Sequence, residues 1–508
     1  MLTVLAMVAA AAAPSAETVR DTVRAWRQAH EKAILQEFVQ LLSIPNLASD
    51  QPNIRANADR IMQMLDRRGI AARLLEVEGA PSSVYGELKA PGADRTILIY
   101  AHYDGQPVDR SRWASDPWQP VLRDGPLEAG GRTIDAQALQ GPTGPEWRLY
   151  ARSASDDKAP IVAVMAAVDA LRAAKVPSSI NLKLFFEGEE EAGSPHLPAF
   201  LDRYRDLLGA DLWVLCDGPV HQSRRMQLYY GARGITDVEI TVYGPARPLH
   251  SGHYGNWAPN PAVTLVDLLA GLRDTDGRIK VAGFYDDVRP PTEAERRALA
   301  TVPDVDAALR RELALAETEA GGARLVERIM LPALNVRGIE TGRVGSLASN
   351  AIPTEARASI DFRLVPDQTP ARVRERVEAH LRGHGYTILH EDPDLETRRA
   401  HPRVVRLEWG PGYPAARTPL DLPVARALAR VVSEATGTPV IESPTLGGSV
   451  PMHLFAEKLR VPVIGLPIAN HDNNQHAANE NLRLQNLWDA VEVYAGVLAR
   501  LGPALEPR

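Results

Sequence analysis

His102 and Asp104 stand two residues apart in Ala101-His102-Tyr103-Asp104, so on an extended segment both side chains face the same way. Further along come Ser155-Asp156-Asp157-Lys158, the run Glu187-Gly188-Glu189-Glu190-Glu191, and the pair Asp217-Gly218. A late segment carries His471, Asp472 and His476. Imidazole nitrogen and carboxylate oxygen are donors that zinc accepts. Two divalent cations about 3.5–4 Å apart can share a carboxylate, clamp a hydroxide and bring the pKa of bound water to roughly 7. Another carboxylate must then take the water's proton and pass it to a leaving amine. The triple glutamate has carboxylates to spare for that task, and Asp104 can hold a neighbouring imidazole ring. Taken singly, each group has a plain structural reading. H-x-D occurs in surface loops, an acidic pair suits a helix N-terminus, a glutamate run is a solvated face, and Asp-Gly is a turn.

Position sets these groups apart. Thr96–Tyr100 reads as a buried strand and leads into His102. Asn181–Phe186 leads into the glutamate run, Asp211–Cys216 into Asp217, and Val461–Leu466 into the segment with His476. Asp156 stands just ahead of an alanine-rich helix, Ala159–Ala174, and a last helix spans about Leu484–Leu501. Thr22–Ser43, closed by Pro45, and Asn57–Arg68, stopped by Gly69, read as two further helices. Strands alternating with helices predict an α/β fold with a mostly parallel sheet covered by helices. Such sheets bind ligands beyond the carboxyl ends of their strands. Five acidic or histidine clusters at that edge would repel one another if left alone, and a pair of divalent cations would neutralise them.

The middle of the chain has a different pattern. Thr236–Tyr243 and Glu355–Leu364 alternate as half-exposed strands do. Asn260-Pro261 opens a helix through about Leu272, with Asn as cap and Pro in the first turn, and Thr369–Leu381 reads as another. This predicts an inserted α+β domain over 233–411, between catalytic portions 17–232 and 412–508. Tyr285–Glu327 reads as helical decoration, and Gly125–Pro145, rich in Gly and Pro, as a surface loop.

Composition narrows the class. A chain of 508 residues suggests several domains. The formal net charge of −7 leaves no electrostatic footprint for nucleic acid. Cys216 is the single cysteine, so no intrachain disulfide forms. Leu2–Ala13 is an apolar run too short to span a bilayer and ends in small residues through Ala16. It reads as a signal peptide over 1–16, although no basic residue precedes Arg20. That reading implies a periplasmic or secreted protein, and a cytoplasmic one if the run is not a signal. No other stretch reads as a membrane span.

The strings Tyr100-Ala101-His102-Tyr103-Asp104-Gly105-Gln106-Pro107, Leu149-Tyr150 ahead of Ser155-Asp156-Asp157-Lys158, and Glu187–Ser194 resemble the zinc exopeptidases. That family holds carnosinases, nonspecific dipeptidases, aminoacylases, glutamate carboxypeptidases and acetylornithine deacetylase. The E-G-x-E-E-A-G-S form and the long insertion look most like the carnosinase and dipeptidase branch. The resemblance runs from about Leu35 to the C-terminus. It implies that His102 and Asp217 bind one metal and Glu191 and His476 the other. Asp156 would bridge them and be followed by a cis peptide. By the same resemblance Glu190 is the general acid/base and Asp104 orients His102. Pro248-Leu249-His250-Ser251-Gly252 matches the family motif whose histidine polarises the scissile carbonyl, reaching the partner's site in a homodimer. Asn350, Arg363 and Ser449 match positions that hold the substrate carboxylate, a task for which the planar fork of arginine is suited. The inserted domain would then be lid and dimer surface. Two departures stand out: Ala151-Arg152-Ser153 replaces the usual G-R-G, and Ala159 stands where Gly is usual.

The expectation is a metal-dependent hydrolase with two divalent ions per subunit. Zinc is the first expectation, and manganese or cobalt also suits nitrogen and oxygen donors. It would cut an amide bond next to a free carboxylate in a small peptide, as a dipeptidase or carboxypeptidase-like enzyme. An N-acyl amino acid deacylase uses the same machinery with a different pocket. A non-catalytic binding protein on the same fold is opposed by the presence of every ligand and of Glu190.

Overall fold

The computed structural model describes residues 15–135 and 141–505. The expected signal segment therefore lies outside the described residues except for its last two positions. There Ser15 caps the first helix, Ala16–Leu42, by accepting a hydrogen bond from the Thr18 amide at 3.1 Å. Among the described residues no helix is long and apolar enough to cross a membrane. The described residues divide into two compact units. One gathers the chain up to Tyr229 with Thr418–Glu442 and the residues from Leu454 onward, and the other gathers Tyr230–Arg417 with Ser443–His453.

The first unit is built on an eight-stranded sheet among the described residues. Its order is Ala71–Leu75, Ser83–Leu88, Asn181–Glu187, Thr96–His102, Leu212–Leu215, Val463–Gly465, Gln227–Tyr229, Ile441–Ser443. The four central strands run parallel. The hairpin at one side and Gln227–Tyr229 at the other are antiparallel, so the parallel character expected from sequence belongs to the centre of the sheet. The central strands are near-continuous apolar runs because both faces are covered. Helices Ala16–Leu42, Lys158–Ala173, Pro423–Thr436 and Leu484–Ala504 pack together as one layer. The alanines of Lys158–Ala173 keep that helix almost wholly buried and allow close approach. Trp213, Phe455, Tyr100 and Phe185 form a connected aromatic cluster.

A second, antiparallel sheet in this unit joins Asn481–Arg483, Arg148–Tyr150, Val121–Arg123 and Thr133–Ile134. The expected surface loop at Gly125–Pro145 therefore carries a strand. Gly130, in the left-handed region at φ 80°, and Gly131 turn the chain back. A Cβ at Gly131 would lie 2.2 Å from the Gly125 carbonyl oxygen, so only glycine closes this turn. The returning chain is held where Thr143 donates its amide to Glu31 at 2.6 Å and Trp488 donates its indole N–H to Thr143 Oγ1 at 2.7 Å.

The second unit carries a five-stranded sheet ordered Ala333–Glu340, Glu355–Leu364, Gly234–Tyr243, Val404–Trp409, Thr387–Leu389. All pairings are antiparallel except the last. Helices Pro261–Leu272 and Pro370–Gly383 bury Leu265, Leu268, Val373 and Val377 in the same core as Val238, Ile240, Ile360 and Phe362. Asn260 caps the first of these helices as its sequence suggests. The segment Ser443–His453, left with the final catalytic portion in the sequence reading, belongs to this unit. Arg233 Nε donates to the Gly447 carbonyl at 2.8 Å, and Arg363 Nη1 to Ser449 Oγ at 2.8 Å.

One contact ties the sheet directly to a loop of interest. A Cβ at Gly465 would lie 2.0 Å from ring carbons of Tyr229, whose hydroxyl donates to the Asp217 carbonyl at 2.8 Å. Gly465→Ala is expected to destabilise the protein by at least about 1–3 kcal/mol through overpacking. A urea midpoint equal to wild type would refute that close packing.

Candidate active site

The strand Thr96–His102 delivers His102 to the carboxyl edge of the sheet, where its side chain is fully buried. Its Nδ1 lies 3.3 Å from Asp104 Oδ1 and its Nε2 lies 2.9 Å from Asp156 Oδ1. Asp104 also accepts the backbone amides of Glu190 at 3.1 Å and Glu191 at 3.0 Å. One carboxylate thus lies beside the histidine and holds the glutamate turn that follows strand Asn181–Glu187. Glu190 Oε2 lies 4.0 Å from His102 Nε2. Asp156 Oδ2 lies 3.1 Å from His476 Nε2, and Glu191 Oε2 lies 3.2 Å from the same nitrogen. The donor atoms of His102, Asp156 and Asp217 lie within 4.8 Å of one another, and so do those of Asp156, Glu191 and His476. Asp156 is common to both groups, and its peptide bond to Asp157 is cis.

The electrostatics favour bound cations here. Burial pushes the Asp217 carboxyl up to about 7, with Asp156 and Glu191 adding to the shift and His102 opposing it. Burial also holds Glu190 well above the usual carboxylate range; His102 counters this, while Asp217, Glu191 and Asp156 reinforce it. His476 is pushed up to about 10 by its hydrogen bonds to Asp156 and Glu191. Asp156 is depressed despite burial, because His102 and His476 flank it. Carboxylates that resist ionisation and imidazoles that hold protons are what a metal-ligand set looks like when protons take the cations' place. Nitrogen and oxygen donors grouped in this way fit two divalent ions.

Neighbouring acids turn out to have other work. Glu187 accepts the Tyr100 hydroxyl at 2.7 Å, and Glu189 holds His196 at 3.0 Å. Asp472 is taken by Arg148 at 2.6 Å. The departure at Ala151-Arg152-Ser153 is also explained. Ser153 adopts the left-handed region at φ 61°, where glycine is favoured. Its hydroxyl accepts from Asn46 Nδ2 at 2.8 Å and donates to the Asp104 carbonyl at 3.3 Å.

The remaining predicted residues lie in the second unit. His250 ends a two-residue strand paired with Ala351–Ile352, and Ser251 donates its amide to the Asn350 carbonyl at 2.9 Å, so His250 and Asn350 are neighbours. Arg363 donates to Ser449 Oγ and, through Nε, to Asp361 at 3.0 Å. Sequence reasoning missed Arg233, whose guanidinium is pushed down to about 10 by burial and by the charge of Arg363. It also missed Gln475, which donates to Asp156 Oδ2 at 2.7 Å, and Gln106, which donates to Glu191 Oε2 at 2.7 Å. Neutral amides carry no pattern by which a metal site is read. Glu480, four residues beyond His476, was missed as well.

A metal ligand must be deprotonated. With pKa values of about 10 and 7, His476 and Asp217 are protonated wholly and in part at neutral pH before a cation binds. Cation binding at pH 7 is therefore expected to release protons, and affinity to rise with pH toward the upper value. Calorimetric zinc titrations in buffers of different ionisation heat check this. Identical apparent heats in all buffers would refute it.

Comparison with known proteins agrees with this geometry. The family model for Peptidase family M20/M25/M40 matches residues 98–500. Human Beta-Ala-His dipeptidase is 27% identical over 431 residues, covering 82% of this chain and 76% of the relative. The Cys-Gly metallodipeptidase of Schizosaccharomyces pombe is 26% identical over 494 residues, covering 92% and 96%. Among solved structures, an M20 family metallo-carboxypeptidase from Sulfolobus solfataricus superposes with a TM-score of 0.75 at 27% identity, covering 92% of this chain and 99% of the other. The chain belongs to peptidase family M20/M25/M40 and is a divalent-metal-dependent hydrolase.

Proposed function

We propose that this enzyme is a dipeptidase or carboxypeptidase-like peptidase that cuts the amide bond next to a free carboxylate in small peptides. The observation that carries the reading is the convergence of two donor groups on Asp156 with the Glu190 carboxylate beside them. His102 and Asp217 would hold one ion and Glu191 and His476 the other, with Asp156 shared. Zinc is the ion we assign. Such ions lower the pKa of water and polarise a carbonyl when bound.

The chain's own residues do the rest. Glu190 takes a proton from water and returns it to the leaving amine, a role suited to a half-buried carboxyl whose proton affinity is raised. Asp104 keeps His102 in one orientation through Nδ1. Arg363 and Ser449, already joined, are assigned to the substrate carboxylate together with Asn350. His250 is assigned to the developing oxyanion as a hydrogen-bond donor. The dipeptidase names of the human and yeast relatives, and the carboxypeptidase name of the Sulfolobus structure, support a small peptide substrate with a free C-terminus. We further propose a homodimer through the second unit, where Val263, Val266 and Ile339 are exposed. Export through the apolar run Leu2–Ala13 belongs to the same proposal.

A panel of plain dipeptides, N-acetyl amino acids and a C-terminally amidated dipeptide tests the reading. Chelator-sensitive release is expected from the free dipeptides and not from the amide. Equal cleavage of the amide would remove the carboxylate assignment. Glu190→Gln should lose on the order of 10²–10⁴ in kcat with its metal content intact, and a variant that keeps most of its rate would displace Glu190 as the base. Asp156→Ala should lose bound metal, and unchanged metal content would rule out the shared ligand.

A further inference from the structure

Glu480 lies four residues after His476 and outside both donor groups, yet it is fully buried. Among the described residues, five hydrogen bonds converge on its carboxylate. Oε2 accepts Arg152 Nη1 at 2.8 Å and the Ser153 amide at 2.8 Å. Oε1 accepts the Ser155 amide at 2.9 Å, the Ser155 hydroxyl at 2.9 Å and the Asp156 amide at 3.0 Å. The backbone joins in, since the Ala151 amide donates to the Glu480 carbonyl at 3.2 Å. Arg152 is fixed in turn by the Trp113 ring, 5.2 Å from its guanidinium carbon, and donates to the Ala477 carbonyl at 3.3 Å.

Two loops from distant parts of the sequence are thus stapled by one carboxylate. One carries Asp156, and the other carries His476. All five groups that point at Glu480 are donors, so only an acceptor at both oxygens suits the position. An amide there would turn an N–H toward donors and leave part of the loop without an acceptor.

We propose that Glu480 is a positioning residue for the metal centre: by gathering 152–156 it sets the Asp156 carboxylate where both donor groups share it. This rests on the two-ion reading above. Glu480 acts only through Asp156 and the loop around it. Groups that orient ligands in this way typically change metal affinity by roughly 10- to 100-fold when replaced.

The test is a cobalt(II) titration of the chelator-stripped full chain. Affinity is read by competition with a chromophoric chelator, the ligand field by visible absorption, and the metal-free fold by far-ultraviolet circular dichroism. Glu480→Gln is expected to keep the metal-free spectrum, to bind cobalt roughly 10- to 100-fold more weakly and to shift the visible bands. Ser155→Ala, which removes one donor and no ligand, is expected to move both readouts less and in the same direction. It decides the question if Glu480→Gln does not fold. Wild-type affinity and bands in the folded Glu480→Gln, or in Ser155→Ala if that variant must stand alone, would overturn the role of Glu480 and leave the two-ion reading standing. A wild-type protein that takes up no cobalt would overturn both.

Discussion

Burial of like charge at the carboxyl edge of a sheet is the constraint on which the rest of the first unit depends. Asp104, Asp156 and Asp217 stand out of water, with the half-buried Glu190 and Glu191 beside them. An ionised carboxylate without a partner is costly to desolvate. Every feature around them answers that cost. Asp104 accepts two backbone amides, Asp156 is flanked by two imidazoles, and the carboxylates left over are raised toward their protonated forms. Divalent cations are the partners that complete the set.

The scaffold is rigid where this charge is placed. Central strands covered on both faces end at His102 and, two residues later, at Asp217, so sheet packing fixes where these side chains emerge. Loops with no regular structure supply Asp156 and His476, and there hydrogen bonds replace packing. The Asn-rich loop 470–481 is cross-linked by Asn470, Asn473 and Asn481, while Arg148 binds both Asp472 and Asn481. His476 holds a left-handed backbone at φ 61°, a conformation that persists only where its surroundings enforce it.

His102, Asp217 and the glutamate run were legible because they follow apolar strands, and strand ends can be read from hydrophobic runs. The sheet's parallel centre was legible for the same reason. The margin formed by Gln227–Tyr229 and Ile441–Ser443 was not, since strands this short leave no pattern. Thr133–Ile134 was hidden in a Gly/Pro-rich stretch whose composition signals turns and gives no hint of the pairing that follows one. Ser443–His453 reads as part of its neighbours in sequence, and only the bonds from Arg233 and Arg363 reveal where it belongs. Glu480 was illegible because a lone glutamate has no spacing. Its meaning lies in donors more than three hundred positions away in the chain.

The place of Val463–Gly465 has a bearing on how the protein is made. This late strand lies between Leu212–Leu215 and Gln227–Tyr229, both synthesised long before it. Until Val463–Gly465 is made, Leu212–Leu215 and Gln227–Tyr229 lack the strand that lies between them. Open strand edges invite foreign pairing, and contacts of such long range form slowly. His476 and Glu480 follow the closing strand by only a few residues. The loop that carries His476 and Glu480 therefore takes its place beside Asp156 only after the strand that fills this gap has been made.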